Sequence, residues 1–224
     1  MKSYPSPNHD ERSGDTPVDM LVLHYTGMES AAAARTRMCD ANGKVSAHYM
    51  IDEDGDILQL VPENRRAWHA GEAFWRGQTD INGRSIGIEL VNPGHEFGLR
   101  PFPDAQMAAL EALAAELLER HPIPAVNVVG HSDVAPRRKS DPGELFDWRR
   151  LAAVGIGLWP DGVAEVTVDA RRATHMLAAI GYETVDLNIT VEAFQRRYRP
   201  TRIDGIIDGE TGGLLSRVQR LTEL

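Results

Sequence analysis

The chain has 224 residues, 42% of them hydrophobic, which is enough for one large domain or for a medium domain plus a small one. Its 24 basic and 33 acidic residues leave a formal charge of −9, which argues against an electropositive surface for nucleic acid. A single cysteine, Cys39, excludes an intramolecular disulfide and a four-cysteine metal cage, so any metal has to be held by His, Asp or Glu.

The amino-terminal stretch MKSYPSPNHDERSGDTPVD is polar, rich in turn formers and without the apolar run of a secretory signal, and no later segment reads as a membrane span. A cytoplasmic protein is expected, with the periplasm or cell envelope as the alternative if an export signal is missing from this sequence. Met20–Thr26 (MLVLHYT) reads as a buried strand with His24 near its end. Apolar stretches on either side of Asp54 and Gly55 predict a hairpin. Ser85–Val91 (SIGIELV) predicts a further strand in which Gly87 permits close approach to the backbone, and Ala125–His131 (AVNVVGH) predicts a fourth. Between these two, Met107, Leu110, Leu113, Leu117 and Leu118 recur at helical spacing, with Asp104 as the expected cap and Pro122 as the stop.

Strands separated by helices imply an α/β fold, a mixed central β-sheet flanked by helices. Glycines and a proline between Val154 and Gly162 predict a boundary that divides the chain into 1–155 and 156–224. Beyond it, DARRATHMLAAIG, TVEAFQRRYRP and DGETGGLLSRVQRL predict three short helices, the first closed by Gly181, the second ended by Pro200 and the third capped by Asp208. A three-helix module of this size is marginal alone and gains from docking on a neighbour.

The segment VVGHSDVAPRRKSDPG places Asp141 ten residues after His131, and Pro136 and Pro142 bias the intervening chain away from helix and toward a fixed loop. A zinc ion with one open coordination position takes about three protein ligands, and His24, His131 and Asp141 can supply them. Sequence distance alone leaves their convergence open. From the residues alone, Glu89 on an apolar strand reads as a buried carboxylate paired with an arginine, and Lys139 beside Arg137 and Arg138 as one of three solvated charges.

LVLHYT, VSAHYMIDEDGDILQLVPENRRAWHAG, SIGIELVN and GHSDVAPRRKSDPGELFDW occur in this order over most of residues 15–150. Together they resemble the blocks of type 2 N-acetylmuramoyl-L-alanine amidases, zinc enzymes that cut the amide between the lactyl group of muramic acid and L-alanine of the peptidoglycan stem. The resemblance implies Zn²⁺ as cofactor and peptidoglycan fragments or polymer as partner. It carries metal ligation onto His24, His131 and Asp141, acid/base work onto Glu89, and transition-state support onto Lys139. It also places Trp68 and His69 beside the substrate groove, Trp68 packing on the sugar or lactyl-peptide portion and His69 donating a hydrogen bond, while His48 is expected to be structural. The alternative is a muropeptide-recognition protein without catalysis; such relatives typically lose a metal ligand, and here all three positions are filled. The tail AFQRRYRPTRIDGIIDGETGGLLSRVQ resembles a three-helix peptidoglycan-binding module, lacking that module's usual glycine-leucine turn before the first Asp-Gly pair.

Overall fold

The structure is a computed structural model that describes residues 1–14 and 16–223. Strands β1 (Lys2–Ser3), β2 (His9–Glu11) and β3 (Met20–Tyr25) precede helix α1 (Ala31–Cys39). Strands β4 (Tyr49–Ile51), β5 (Ile57–Gln59) and β6 (Arg65–Ala67) follow, then α2 (Ile81–Arg84) and β7 (Ser85–Leu90). After α3 (Gly94–Phe97) and the long α4 (Asp104–Arg120), β8 (Val128–Gly130) runs straight into α5 (His131–Val134), and α6 (Trp148–Ala153) comes next. Helices α7 (Ala170–Ile180), α8 (Leu187–Tyr198) and α9 (Gly209–Leu221) complete the chain.

The main sheet has the order β1-β5-β4-β7-β3-β8, with β4, β7, β3 and β8 parallel to one another and β5 antiparallel to β4. It is the mixed sheet the sequence implies. The β4–β5 hairpin turns at Gly55, whose φ of +89° is costly for a residue with a Cβ. A separate antiparallel pair, β2 with β6, is built partly from the polar amino-terminal stretch.

Side chains alternate across the central strands, and both faces are covered. Leu21 and Leu23 of β3, with Ile86, Ile88 and Leu90 of β7, meet Met107, Leu110 and Leu117 of α4. Met20 and Val22 point the other way, into a cluster that contains Leu177 of α7, Phe194 of α8 and Leu215 of α9. Burial on two sides explains why β3 reads as a continuous apolar run instead of an alternating one. The expected division after residue 155 falls just past α6, where Val154–Val168 contains no helix or strand. One apolar cluster nevertheless spans both sides of it, so the three carboxy-terminal helices share a core with the sheet.

Two local expectations change. Asp104 is the first residue of α4 and not its cap: Pro103 occupies the cap position, and the Asp104 carboxylate pairs with Arg150 from the first turn, where a negative charge suits the helix dipole. The predicted strand at Ala125–His131 divides into a 3₁₀ turn at Ala125–Asn127 and the three residues of β8, because extended Pro124 delivers the chain into a tight turn before the sheet begins.

A buried polar cluster fastens α8 to the start of α5. Asp133 accepts from Arg197 Nη1 at 2.8 Å, from Tyr182 Oη at 2.6 Å and from the Gly130 backbone N–H at 2.8 Å. Arg197 also donates to the Val128 carbonyl at 3.0 Å, with its guanidinium stacked 4.1 Å from the Trp148 ring centroid. Removing one partner of a buried pair strands the other charge, so Arg197→Met is expected to destabilise the fold by about 3–5 kcal/mol in urea unfolding, and a compensating Asp133→Asn change to recover part of that loss.

At the carboxyl end of α4, Glu63 accepts from Tyr49, Arg120 and His121. Burial alone would raise this carboxyl, but the three donors prevail and hold it at about 2 against an ordinary 4.5. A depressed acid stabilises the fold above its unfolded value and loses that contribution as pH falls toward its folded value. Wild type should therefore lose its stability advantage over Glu63→Gln between pH 4.5 and about 2, as followed by thermal unfolding across that range.

Candidate metal centre and cleft

Parallel pairing of β3 with β7 sets His24 directly opposite Glu89, each one residue before its strand ends. Residues opposite each other in register project from the same face, so the pairing alone puts an imidazole beside a carboxyl. In the neighbouring pair, Leu23 lies opposite Gly130, which makes His131 the first residue beyond β8. The site thus stands at the carboxyl ends of parallel strands, where open α/β sheets gather their polar groups.

Asp141 is returned to this edge by its loop. The Ser132 N–H donates to the Asp141 carbonyl at 2.8 Å. A side chain on Gly130 would put a Cβ 2.8 Å from the Pro142 ring and 3.2 Å from Trp148, so only glycine lets the loop close this tightly. The ten-residue spacing between His131 and Asp141 is thus one short helix and a turn folded back on itself.

Three donor atoms converge at the floor of the cleft. His24 Nδ1 lies 3.0 Å from His131 Nδ1 and 3.0 Å from Asp141 Oδ2, and the last two are 3.1 Å apart. All three residues are buried. His131 Nε2 donates to the Ala70 carbonyl at 3.0 Å, and its Nδ1 faces a carboxylate oxygen. A nitrogen and a carboxylate oxygen so placed need a proton or a cation between them. A tetrahedral ion with Zn–N bonds of ~2.0–2.1 Å spaces its ligands by about 3.3 Å, so the triangle fits a small divalent cation with little adjustment.

The charges agree with that reading. Burial, aided by His131, pushes the His24 imidazole down to about 4 and keeps it neutral. Burial would raise Asp141, but the two imidazoles outweigh it and hold the carboxyl well below the usual range. Two imidazole nitrogens and one carboxylate are a donor set suited to a divalent ion.

Glu89 is buried beside this triangle, and its Oε2 has no hydrogen-bond partner among the described residues. Burial first, and then the charge of Asp141, push its carboxyl well above the ordinary value, with Lys139 acting in the opposite direction. The arginine-paired carboxylate that the bare sequence also allowed is not what the structure contains. Lys139 is exposed and lines the same cleft of about 490 Å³ as His24, Glu89, His131 and Asp141.

The substrate-side expectations fare differently. His69 borders the cleft, but its Nδ1 lies 3.1 Å from His24 Nε2 and its Nε2 3.1 Å from Ser85 Oγ. Both ring nitrogens are taken by protein groups, so no donor is left for a substrate, which corrects the expected role. Trp68 is half-buried, its backbone paired with Ser46, and it is not among the residues lining the cleft. His48 is structural as expected, accepting from the Gly87 N–H at 2.9 Å. Arg37 and Arg138 also reach the cleft and were not singled out by sequence. Arg138 stood in a run of three basic residues with nothing to rank it above its neighbours, and Arg37 on α1 carried no signal.

Residues 14–144 match the family described as N-acetylmuramoyl-L-alanine amidase. The chain belongs to that family. This amidase is 38% identical to the N-acetylmuramoyl-L-alanine amidase AmiD of Escherichia coli (strain K12), over 87% of this chain and 79% of that protein. It is also 38% identical to the 1,6-anhydro-N-acetylmuramyl-L-alanine amidase AmpD of Enterobacter cloacae, over 68% of this chain and 89% of that one. Among solved structures, the complex of E. coli AmiD with anhydro-N-acetylmuramic acid-L-Ala-D-gamma-Glu-L-Lys superposes with a TM-score of 0.84 at 35% identity, covering 95% of the amidase and 92% of that chain. AmpDh3 from Pseudomonas aeruginosa, in complex with an anhydromuramic pentapeptide, gives 0.83 at 33% identity, covering 92% of each chain.

Because Asp141 is one corner of the triangle and Glu89 stands outside it, Asp141→Ala is expected to abolish retention of a divalent ion while Glu89→Gln keeps it. Elemental analysis after dialysis checks this, and equal loss in both variants would make Glu89 a ligand.

Proposed function

We propose that this amidase hydrolyses the amide between an N-acetylmuramoyl or 1,6-anhydro-N-acetylmuramoyl group and L-alanine, with Zn²⁺ held by His24, His131 and Asp141. The observation that carries the reading is the convergence of those three donors in a cleft whose remaining buried carboxyl, Glu89, has an unpartnered oxygen. When bound, the ion supplies positive charge that polarises the scissile carbonyl and makes a water molecule more acidic.

The other steps belong to the protein. Glu89 has a free acceptor oxygen and a carboxyl whose proton is held more tightly than usual, the properties needed to take a proton from the attacking water and return it to the leaving amine. Its register opposite His24 keeps it beside the metal ligands without making it one. Lys139, on the cleft wall, offers an ammonium to the oxyanion that develops as water adds to the carbonyl. Arg37 and Arg138 add further positive charge around the opening, which suits the carboxylates of a peptide stem. Two solved relatives hold anhydromuramic peptides, which supports fragments carrying the anhydro sugar as substrates. A protein that only recognises muropeptides needs neither a complete donor set nor a buried unpartnered acid.

Purified protein incubated with soluble anhydro-muropeptide and, separately, with intact sacculi is expected to release free stem peptide, identified by mass. Release should stop with chelator and return with zinc, and Glu89→Gln should lower kcat by about 100- to 10,000-fold with zinc retained. No release from either substrate at full zinc occupancy would overturn the assignment.

A further inference from the structure

The hydrogen-bond chain behind His24 has only one consistent arrangement of protons. Ser85 Oγ lies 2.6 Å from the Ile81 carbonyl, and a carbonyl can only accept, so the single hydroxyl proton of Ser85 is used there. The contact of 3.1 Å between Ser85 Oγ and His69 Nε2 therefore has the imidazole as donor. His69 Nδ1 is then a lone pair, and it accepts from His24 Nε2 at 3.1 Å. With its proton on Nε2, His24 presents a bare Nδ1 to His131 and Asp141.

Packing holds the relay in line. Gly87 sits under the His69 ring, and a Cβ at that position would lie 2.5 Å from the ring's Cγ. The His24 and His69 rings meet nearly edge to face, at 83° with centroids 5.1 Å apart. The backbone N–H groups of His69 and Ala70 both donate to Asn82 Oδ1, at 3.1 and 2.8 Å. Ala70 is also the residue whose carbonyl accepts from His131 Nε2. A single dipeptide, clamped by Asn82, thus supplies the outer partner of both imidazoles: a side chain for His24 and a carbonyl for His131.

We propose that Ser85 and His69 are positioning residues that hold His24 in the tautomer whose Nδ1 lone pair faces the metal position, with Asn82 anchoring the segment that does the same for His131. The inference rests on the metal role proposed above for its consequence, though not for its proton arrangement. Outer partners of ligating histidines are worth about 10–100-fold in metal affinity.

The test reads the His24 ring nitrogens by long-range ¹H–¹⁵N correlation in metal-free protein, and zinc affinity by competition with a chromophoric chelator. Wild type should show His24 protonated on Nε2 and bare on Nδ1. Ser85→Ala, which frees His69 to rotate its proton to Nδ1, should give a mixture of His24 tautomers and a weaker zinc complex. His69→Leu should weaken zinc by about 10–100-fold, and His69→Asn, whose amide oxygen can stand near the position of Nδ1, should restore most of it. A single unchanged His24 tautomer in both Ser85→Ala and His69→Leu, with wild-type zinc affinity, would overturn the proposal. Wild-type protein with the expected tautomer but no zinc binding would sink the metal reading and leave the relay standing.

Discussion

Three electron-pair donors held within about 3 Å of one another and buried at the floor of the cleft are the constraint on which the site depends. Lone pairs at that distance repel, and nothing in the fold relieves them except a proton or a cation. Each donor is delivered by a different device: a strand end for His24, the junction of β8 with α5 for His131, and a folded-back loop for Asp141. Each device ties its donor to strand pairing or to a backbone hydrogen bond, so the fold itself sets the three side by side.

Rigidity on one side comes from the carboxy-terminal helices. They cover the sheet face from which Met20 and Val22 project, and through Arg197 and Tyr182 they grip Asp133, two residues beyond His131. The edge of the sheet that carries His24 and His131 and the last three helices are thus joined by a shared apolar core and by a buried ion pair. The grip uses the inner face of these helices and leaves the outer faces of α7 and α9 to solvent.

Charge is partitioned between the whole surface and the cleft. The chain carries a formal −9, yet the cleft is lined by Lys139, Arg37 and Arg138. Global charge says little about the ligand, because a cleft a few residues wide sets its own potential. Glu89 belongs to the same local economy: a buried acid with an unpartnered oxygen is unfavourable for folding and useful for moving a proton.

Much of this was legible in the residues themselves. The apolar run ending in His24, the helical spacing of α4, the turn at Gly55 and the aspartate cap of the last helix are local properties, set by side-chain periodicity and by which residues tolerate which backbone angles. The three residues that the fold gathers into the triangle were legible too, because few residue types offer such donors and the blocks containing them occur in a recognisable order. Which side chains stand behind them was not. Ser85 opens a strand, His69 follows a tryptophan in a loop, and Asn82 sits in a four-residue helix, with nothing in their spacing to relate them. Gly87 announced that something approaches the backbone there; only the packed structure shows that it is the His69 ring. Periodicity and capping are decided within a few residues along the chain. The proton arrangement of a buried histidine is decided by neighbours far away in sequence, and those neighbours exist only once the sheet is paired and its faces are covered.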